Sequence, residues 1–239
     1  MHNYSVDDVI SMYNESVRFS KVDLFRQRVE RSFVCSPILN RGIPPVIHSV
    51  KSRMKDSDHL REKLIRKHDQ YMFQESPEAC LKKITDLAGV RVLHLYLEQF
   101  EYINQYINEQ IIEKEWFIAE PPKAYTWDID TQKYFSLLGL NCEVRESYYT
   151  SVHYVVSPAP DSWISCEIQV RTLFEEIWGE IDHSINYPRS TDSVACKEQL
   201  RVLSKLASTG TRLASSIFKS IEEFKSISDN MLIAQKDIT

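Results

Sequence analysis

The sequence predicts an α/β (α+β) fold in which a mixed sheet of about five strands is flanked by helices, and three observations predict it. Segment 163–171 alternates, so that Glu167, Gln169 and Arg171 share one strand face while Ile168 and Val170 occupy the other. Residues 89–96 are rich in β-branched and aliphatic side chains and read as a second strand. Apolar residues recur at helical spacing on both sides of these runs, and helices that bracket strands place the chain in this class.

Taken in order, residues 6–33 read as a helix, with Val6, Val9, Ile10, Tyr13, Val17, Leu24 and Phe25 near helical period. The stretch 40–45, with its glycine and paired prolines, breaks that pattern and marks a module boundary. Helices are expected at 57–70 and 77–85, the strand at 89–96, and a crossover helix at 99–113. Further strands are expected at 115–119, 124–128, 151–157 and 163–171, followed by a helix at 172–187. From 193 to 228, Leu200, Leu203, Leu206, Leu213, Ile217, Ile221 and Phe224 mark one long amphipathic helix, or two helices meeting near Gly210, for packing within the chain or across an oligomer. The expected organisation is an N-terminal helical segment over 1–48, a central domain over 49–190 and a C-terminal helical extension over 191–239.

A chain of 239 residues, 43% hydrophobic and 26% charged, is long enough for one substantial core. No run of apolar residues is long enough to span a bilayer and the N-terminus has no signal-peptide pattern, so the expectation is a cytoplasmic protein without membrane association. Cys35, Cys80, Cys142, Cys166 and Cys196 are odd in number and widely spaced, which suits reduced thiols better than a disulfide framework or zinc site. A net charge of −5 argues against a broad footprint for long nucleic acid but leaves room for a small anion in a local basic pocket.

Such a pocket has candidates in Lys51, Arg53, Lys55, Arg61, Lys63, Arg66 and Lys67, which fall within 17 residues. A charge run is ordinarily a solvated helix face. With only five glycines and no P-loop or GxGxxG, however, any polyphosphate must be held by side-chain cations rather than by a glycine-rich loop. Arg53, Lys55 and Lys63 are spaced so that a strand or turn leading into a helix converges them. Asp86, just before the strand that carries Arg91, reads alone as a cap or turn residue. Paired with Glu167 it becomes a candidate for magnesium, which takes one or two carboxylates together with substrate phosphate oxygens. Tyr148, Tyr149 and His153 precede an apolar run; a tyrosine there is either core or a stacking platform for a base.

In order and spacing these pieces resemble the synthetase domain of the RelA/SpoT family of alarmone pyrophosphokinases. The family's R-x-K, serine, lysine motif is similar to Arg53-Met54-Lys55 with Lys63, His59 standing for the serine. Its second motif resembles Asp86-Leu87-Ala88-Gly89-Val90-Arg91. Its acceptor motif K-x-x-G-Y-x-S-x-H resembles Arg145 through His153, with Arg145 for lysine and Tyr148 for glycine. The E-[IV]-Q-[IV]-R-T motif is unchanged at Glu167 to Thr172, and a tryptophan-to-histidine motif follows at Trp178 to His183.

The resemblance implies a polymerase-β-like nucleotidyltransferase fold and transfer of the β,γ-pyrophosphate of ATP to the ribose 3′-hydroxyl of GDP or GTP, giving (p)ppGpp and AMP. It implies that Arg53 and Arg91 sandwich the adenine and that Lys55 and Lys63 hold the ATP phosphates. Asp86 and Glu167 are the implied catalytic residues and Mg2+ ligands, with Glu167 activating the hydroxyl. Tyr149 is implied to stack on the acceptor base, and Arg145, His153, Gln169 and Arg171 to position the acceptor. Some small relatives act as toxins that pyrophosphorylate the tRNA 3′ end or adenosine nucleotides, which adds tRNA, and an antitoxin, as alternative partners. Against tRNA stand the acidic balance and Glu175, Glu176, Glu180 and Asp182; for it stand Lys82, Lys83, Lys123 and Lys133. The C-terminal stretch resembles helices through which small family members form homo-oligomers.

Overall fold

The computed structural model describes residues 4–18, 21–72, 74–187 and 190–236. Its elements are α1 (Val6–Arg18), α2 (Lys21–Val34), β1 (Ser49–Met54), α3 (Ser57–Arg66), α4 (His68–Tyr71), α5 (Pro77–Lys82), β2 (Ala88–His94), α6 (Gln99–Ile112), β3 (Phe117–Thr126), α7 (Ile129–Leu137), β4 (Asn141–Val144), β5 (Ser151–Ser157), β6 (Cys166–Thr172), α8 (Leu173–Asn186) and α9 (Val194–Lys236). The α/β class holds, with a sixth strand added to the mixed sheet, whose order is β1-β2-β6-β5-β3-β4. The β2–β6 and β3–β4 pairs are parallel and the other three antiparallel.

Side-chain caps start the helices beside the sheet. Asp56 accepts from the amides of Asp58 and His59 at the head of α3, Asp128 from Asp130 and Thr131 at α7, and Thr172 from Glu175 at α8. One sheet face, carrying Val90, Val92, Val152, Tyr154, Ile168 and Val170, is fully buried in a core shared with Val22, Phe25, Val29 and Phe33 of α2 and Phe100, Ile103 and Ile107 of α6. Arg26 of α2 hydrogen-bonds Ser52 on that side of β1, whereas Lys51, which points the other way, reaches Glu176 of α8. Alternation along β1 therefore separates a packed face from a face carrying charged groups.

Several expectations need correction. The 6–33 stretch is two helices rather than one; the expected continuation at 19–20 and the Val17 side chain lie outside the described residues. The 57–70 helix is divided into α3 and α4, and 115–119 with 124–128 are one strand, β3, whose register shifts absorb Pro121 and Pro122. The strand β4 and helix α7 were not expected, and the strand-or-turn left open around Arg53 is the strand β1.

Helix α9 runs unbroken through Gly210, where an added Cβ would lie 2.6 Å from the Phe174 ring, so glycine here permits close packing on α8. The face of α9 turned inward is largely hydroxylic. Ser208 donates to Asp128 at 2.8 Å, Thr211 pairs with Thr172 at 3.1 Å, and Ser215 accepts from the Leu97 amide at 3.2 Å. Most of the apolar stripe read from the sequence, from Leu206 to Phe224, stays exposed, and only Leu200 of that set is buried. The two patterns lie on different sides of one helix, and the chain uses the hydroxyl side for its own packing.

Candidate active site

The sheet register builds the site. Lys51, Arg91, Gln169, His153 and Lys123 stand in one row across β1, β2, β6, β5 and β3, and Arg53, Gly89 and Glu167 form the next row. Gly89 contributes no side chain between Arg53 and Glu167. A cavity of about 310 Å³ opens there, lined by Lys51, Arg53, Asp86, Arg91, Glu167, Gln169, Glu180 and His183. Asp86 and Glu167, 81 positions apart in the chain, thus face the same space.

Asp86 sits in the turn before β2; the Lys55 amide donates to the Leu87 carbonyl at 2.8 Å, tying that turn to the end of β1, and the Tyr13 hydroxyl donates to the Lys55 carbonyl at 2.6 Å. Its carboxylate accepts from Lys55 Nζ at 2.7 Å and from Lys63 Nζ at 2.8 Å. Burial alone would raise its pKa, but the charges of Lys63 and Lys55 outweigh that and hold the carboxyl below its ordinary value. Lys63 has a raised pKa: burial lowers it, and the attraction of Asp86 more than compensates. The resting cluster, one carboxylate with two ammonium groups, therefore keeps a net positive charge. His59 stands edge-on to Tyr187 at 5.5 Å, and Tyr187 stacks on His183 at the cavity rim, 4.5 Å away.

Glu167 is held by two donors. His153 Nδ1 lies 3.1 Å from Oε1, and Gln169 Nε2 donates to Oε2 at 2.6 Å. Burial raises the Glu167 pKa and nearby Asp86 adds to this, but the hydrogen bonds and charge of His153, with Gln169, carry it below the ordinary carboxylate value, leaving an ionised base. The other nitrogen of His153 is 2.9 Å from the Tyr149 hydroxyl, so Tyr149, His153 and Glu167 form one hydrogen-bonded chain. Tyr149 has a raised pKa, chiefly from burial, and remains a phenol.

A second cavity of about 260 Å³ begins at the Tyr149 end, lined by Tyr125, Arg145, Ser147, Tyr149 and His153. The Arg145 guanidinium lies 4.4 Å over the Tyr125 ring and 3.3 Å from Glu143. Tyr148, which stands where the RelA/SpoT pattern has glycine, takes φ 63°, a conformation glycine adopts freely and tyrosine at a cost of about 1–2 kcal/mol. Its ring meets Trp127 edge-on at 5.4 Å, so the departure in sequence keeps the backbone that glycine would supply.

The arginines depend on α8. Glu176, 4% exposed, pairs with Lys51 at 3.0 Å, with Arg91 at 3.3 Å and with Arg171. Glu180, one turn later, also pairs with Arg91. Burial raises the Glu176 pKa, and Arg171, Lys51 and Arg91 bring it below normal. In sequence Glu176 and Glu180 register only as acidic balance; in place they pair with and aim the cations of the site. The signal was their spacing with His183 along one helix face directly after the Glu167-to-Thr172 strand. Arg171, 3% exposed on its side chain, is set back from the cavity, its guanidinium 5.9 Å from the Tyr149 ring. Lys82 and Lys133, proposed as part of a cationic track, lie beside Asp161 and Asp130.

Among the described residues no group of three or more His, Cys, Asp or Glu is arranged as a metal site. Two carboxylates on one cavity do fit magnesium, which takes one or two carboxylates and completes its shell with water and substrate oxygens. Among the described residues no helix is long and apolar enough to cross a membrane.

A family profile described as the region found in RelA/SpoT proteins matches residues 52–192, well over half of the chain. The GTP pyrophosphokinase YwaC of Bacillus subtilis (strain 168) is 26% identical over 159 residues, 64% of this chain and 64% of that protein. The GTP pyrophosphokinase YjbM of the same organism is 27% identical over 172 residues, 70% and 68% of the two chains. The chain thus spans about two thirds of the length of these relatives. Small alarmone synthetase 1 from Bacillus subtilis superposes with a TM-score of 0.62 at 23% identity, over 88% of this chain and 99% of that one. Its complex with the product pppGpp gives 0.57 at 22% identity, over 87% and 94%. These two similarities establish the shared fold.

Proposed function

Because this chain belongs to the RelA/SpoT family, we propose that it is an ATP-dependent pyrophosphokinase that transfers the β,γ-pyrophosphate of ATP to the ribose 3′-hydroxyl of GDP or GTP. The relatives named GTP pyrophosphokinases support the reaction class. The observation that carries the reading is the position of Glu167. It lines the arginine-walled cavity, and through His153 it is hydrogen-bonded to Tyr149 in the adjoining cavity. A base at the junction of two nucleotide-sized spaces suits an in-line transfer from one nucleotide to another.

In this reading Arg53 and Arg91 take the two faces of the adenine, and Lys55 and Lys63 leave Asp86 for the ATP phosphates. Asp86 and Glu167 would hold a magnesium ion, which would supply charge compensation on the transferred group. The acceptor stacks on Tyr149, with Arg145, His153 and Gln169 placing its sugar and phosphates and Arg171 acting from behind through the Tyr149 ring. Ionised Glu167 takes the proton from the 3′-hydroxyl as the oxygen bonds to the β-phosphorus, and the α,β-bridging bond breaks to release AMP.

The test is transfer from γ-labelled ATP to GDP, GTP, ADP, ATP or deacylated tRNA, each offered separately to the pure protein. Label on guanosine nucleotides is the expected result. Label on tRNA or adenosine nucleotides alone would replace the acceptor assignment, and no label on any acceptor would remove the reaction.

A further inference from the structure

We infer that Tyr125 is the second aromatic wall of the acceptor-base slot, facing Tyr149, so that the acceptor's ring is gripped from two sides. The inference rests on the acceptor reading above and deepens it. Tyr125 stands on β3 opposite Ser151 of β5, and its neighbours Ala124 and Thr126 point into the core with no exposure. The Tyr125 ring faces outward by strand alternation and is only half-buried. It borders the same cavity as Tyr149, Arg145 and His153.

The geometry is that of a partly open wedge. The Tyr125 and Tyr149 centroids are 6.4 Å apart with their planes inclined by 49°. A flat base between two parallel rings needs about 7 Å between them, two stacking distances, so turning one ring toward parallel and widening the gap by about half an ångström makes the slot. Tyr149 is steadied from behind by the hydrogen bond of its hydroxyl to His153, and Tyr125 rests edge-on against the same imidazole at 4.9 Å. Both walls therefore lean on one residue. The Tyr125 face already carries a planar group, the Arg145 guanidinium at 4.4 Å, which occupies the place a base would take. Entry of the base displaces Arg145 toward the acceptor's phosphates. Stacking accepts any purine face, so this wall supplies affinity, and discrimination between bases must come from edge contacts.

The experiment compares wild type with Tyr125→Ala, Tyr125→Leu and Tyr125→Phe, using the acceptor that the wild type labels. Affinity is measured by calorimetry for that acceptor and, separately, for a non-hydrolysable ATP analogue, and KM by labelled transfer. Loss of a stacked wall should weaken the acceptor by about 5- to 150-fold in Ala and Leu and leave the ATP analogue unchanged. Phe should retain affinity within about threefold, since the ring face is kept. Unchanged acceptor affinity in Ala and Leu would overturn the inference, as would equal weakening of both nucleotides, which marks a merely structural role. A wild type that labels a non-guanosine acceptor changes the proposed substrate but leaves the slot to be judged by these variants on that acceptor.

Discussion

Glu175 offers a perturbation whose size can be worked out. It follows the strand of Glu167 and Arg171, is 4% exposed, and its Oε2 has no hydrogen-bond partner. A cavity of about 30 Å³, roughly one water, lies against it beside Asp128, Thr172, Ser208 and Thr211. Burial, opposed by Arg171 and reinforced by Asp128, pushes its pKa from 4.5 up to about 8. The folded protein therefore retains a proton that the unfolded chain sheds near its ordinary pKa. Stability falls as pH rises through the interval between the two values, by about 1.4 kcal/mol per pH unit at most, and levels off above the folded pKa. Between pH 6 and pH 8 the loss is about 2 kcal/mol, the curve flattening as the native carboxyl ionises. Glu175→Gln cannot ionise and should lack this loss. Urea unfolding followed by tryptophan fluorescence at pH 6, 7 and 8 would give the difference between variant and wild type, which should shift in the variant's favour by that amount. A difference independent of pH would refute a neutral, buried Glu175.

Glu167→Gln should abolish transfer while nucleotide binding by calorimetry stays near wild type; substantial residual turnover would remove its role as base. At Gly179 an added Cβ would lie 2.7 Å from the Arg171 guanidinium, which Glu176 pins in place. Gly179→Ala should therefore raise acceptor KM by roughly tenfold, about 1.4 kcal/mol, and ATP KM by less, through the Arg91 that shares Glu176. Gly210→Ala drives a methyl against Phe174 and should destabilise the α8–α9 contact by about 1–3 kcal/mol in thermal or urea unfolding, without altering KM for either nucleotide.

The site was legible in the sequence to the extent that one strand face carries it. Glu167, Gln169 and Arg171 alternate with Ile168 and Val170, and that period is local, so residues alone reveal it. The placement of Arg53 was harder. Lys51 and Arg53 alternate in β1, but the strand's modest apolar content left strand and turn equally open, and only pairing with β2 makes it a strand. Pro121 and Pro122 made β3 look like two strands, because nothing local announces the bulges that tolerate them. Tyr125 and Glu176 were missed for a related reason: each matters through a residue distant in the chain, Arg145 and Tyr149 for one, Lys51, Arg91 and Arg171 for the other. Gly210 suggested a helix break, but its open side is filled by Phe174.

The continuous link from the phenol of Tyr149 through an imidazole to the Glu167 carboxylate has a thermodynamic corollary. In the proposed reading, a ligand that draws the phenol away alters the far carboxylate, which would couple the binding of the two nucleotides. Whatever factor the first imposes on the second's dissociation constant, the second must return to the first, whichever arrives earlier.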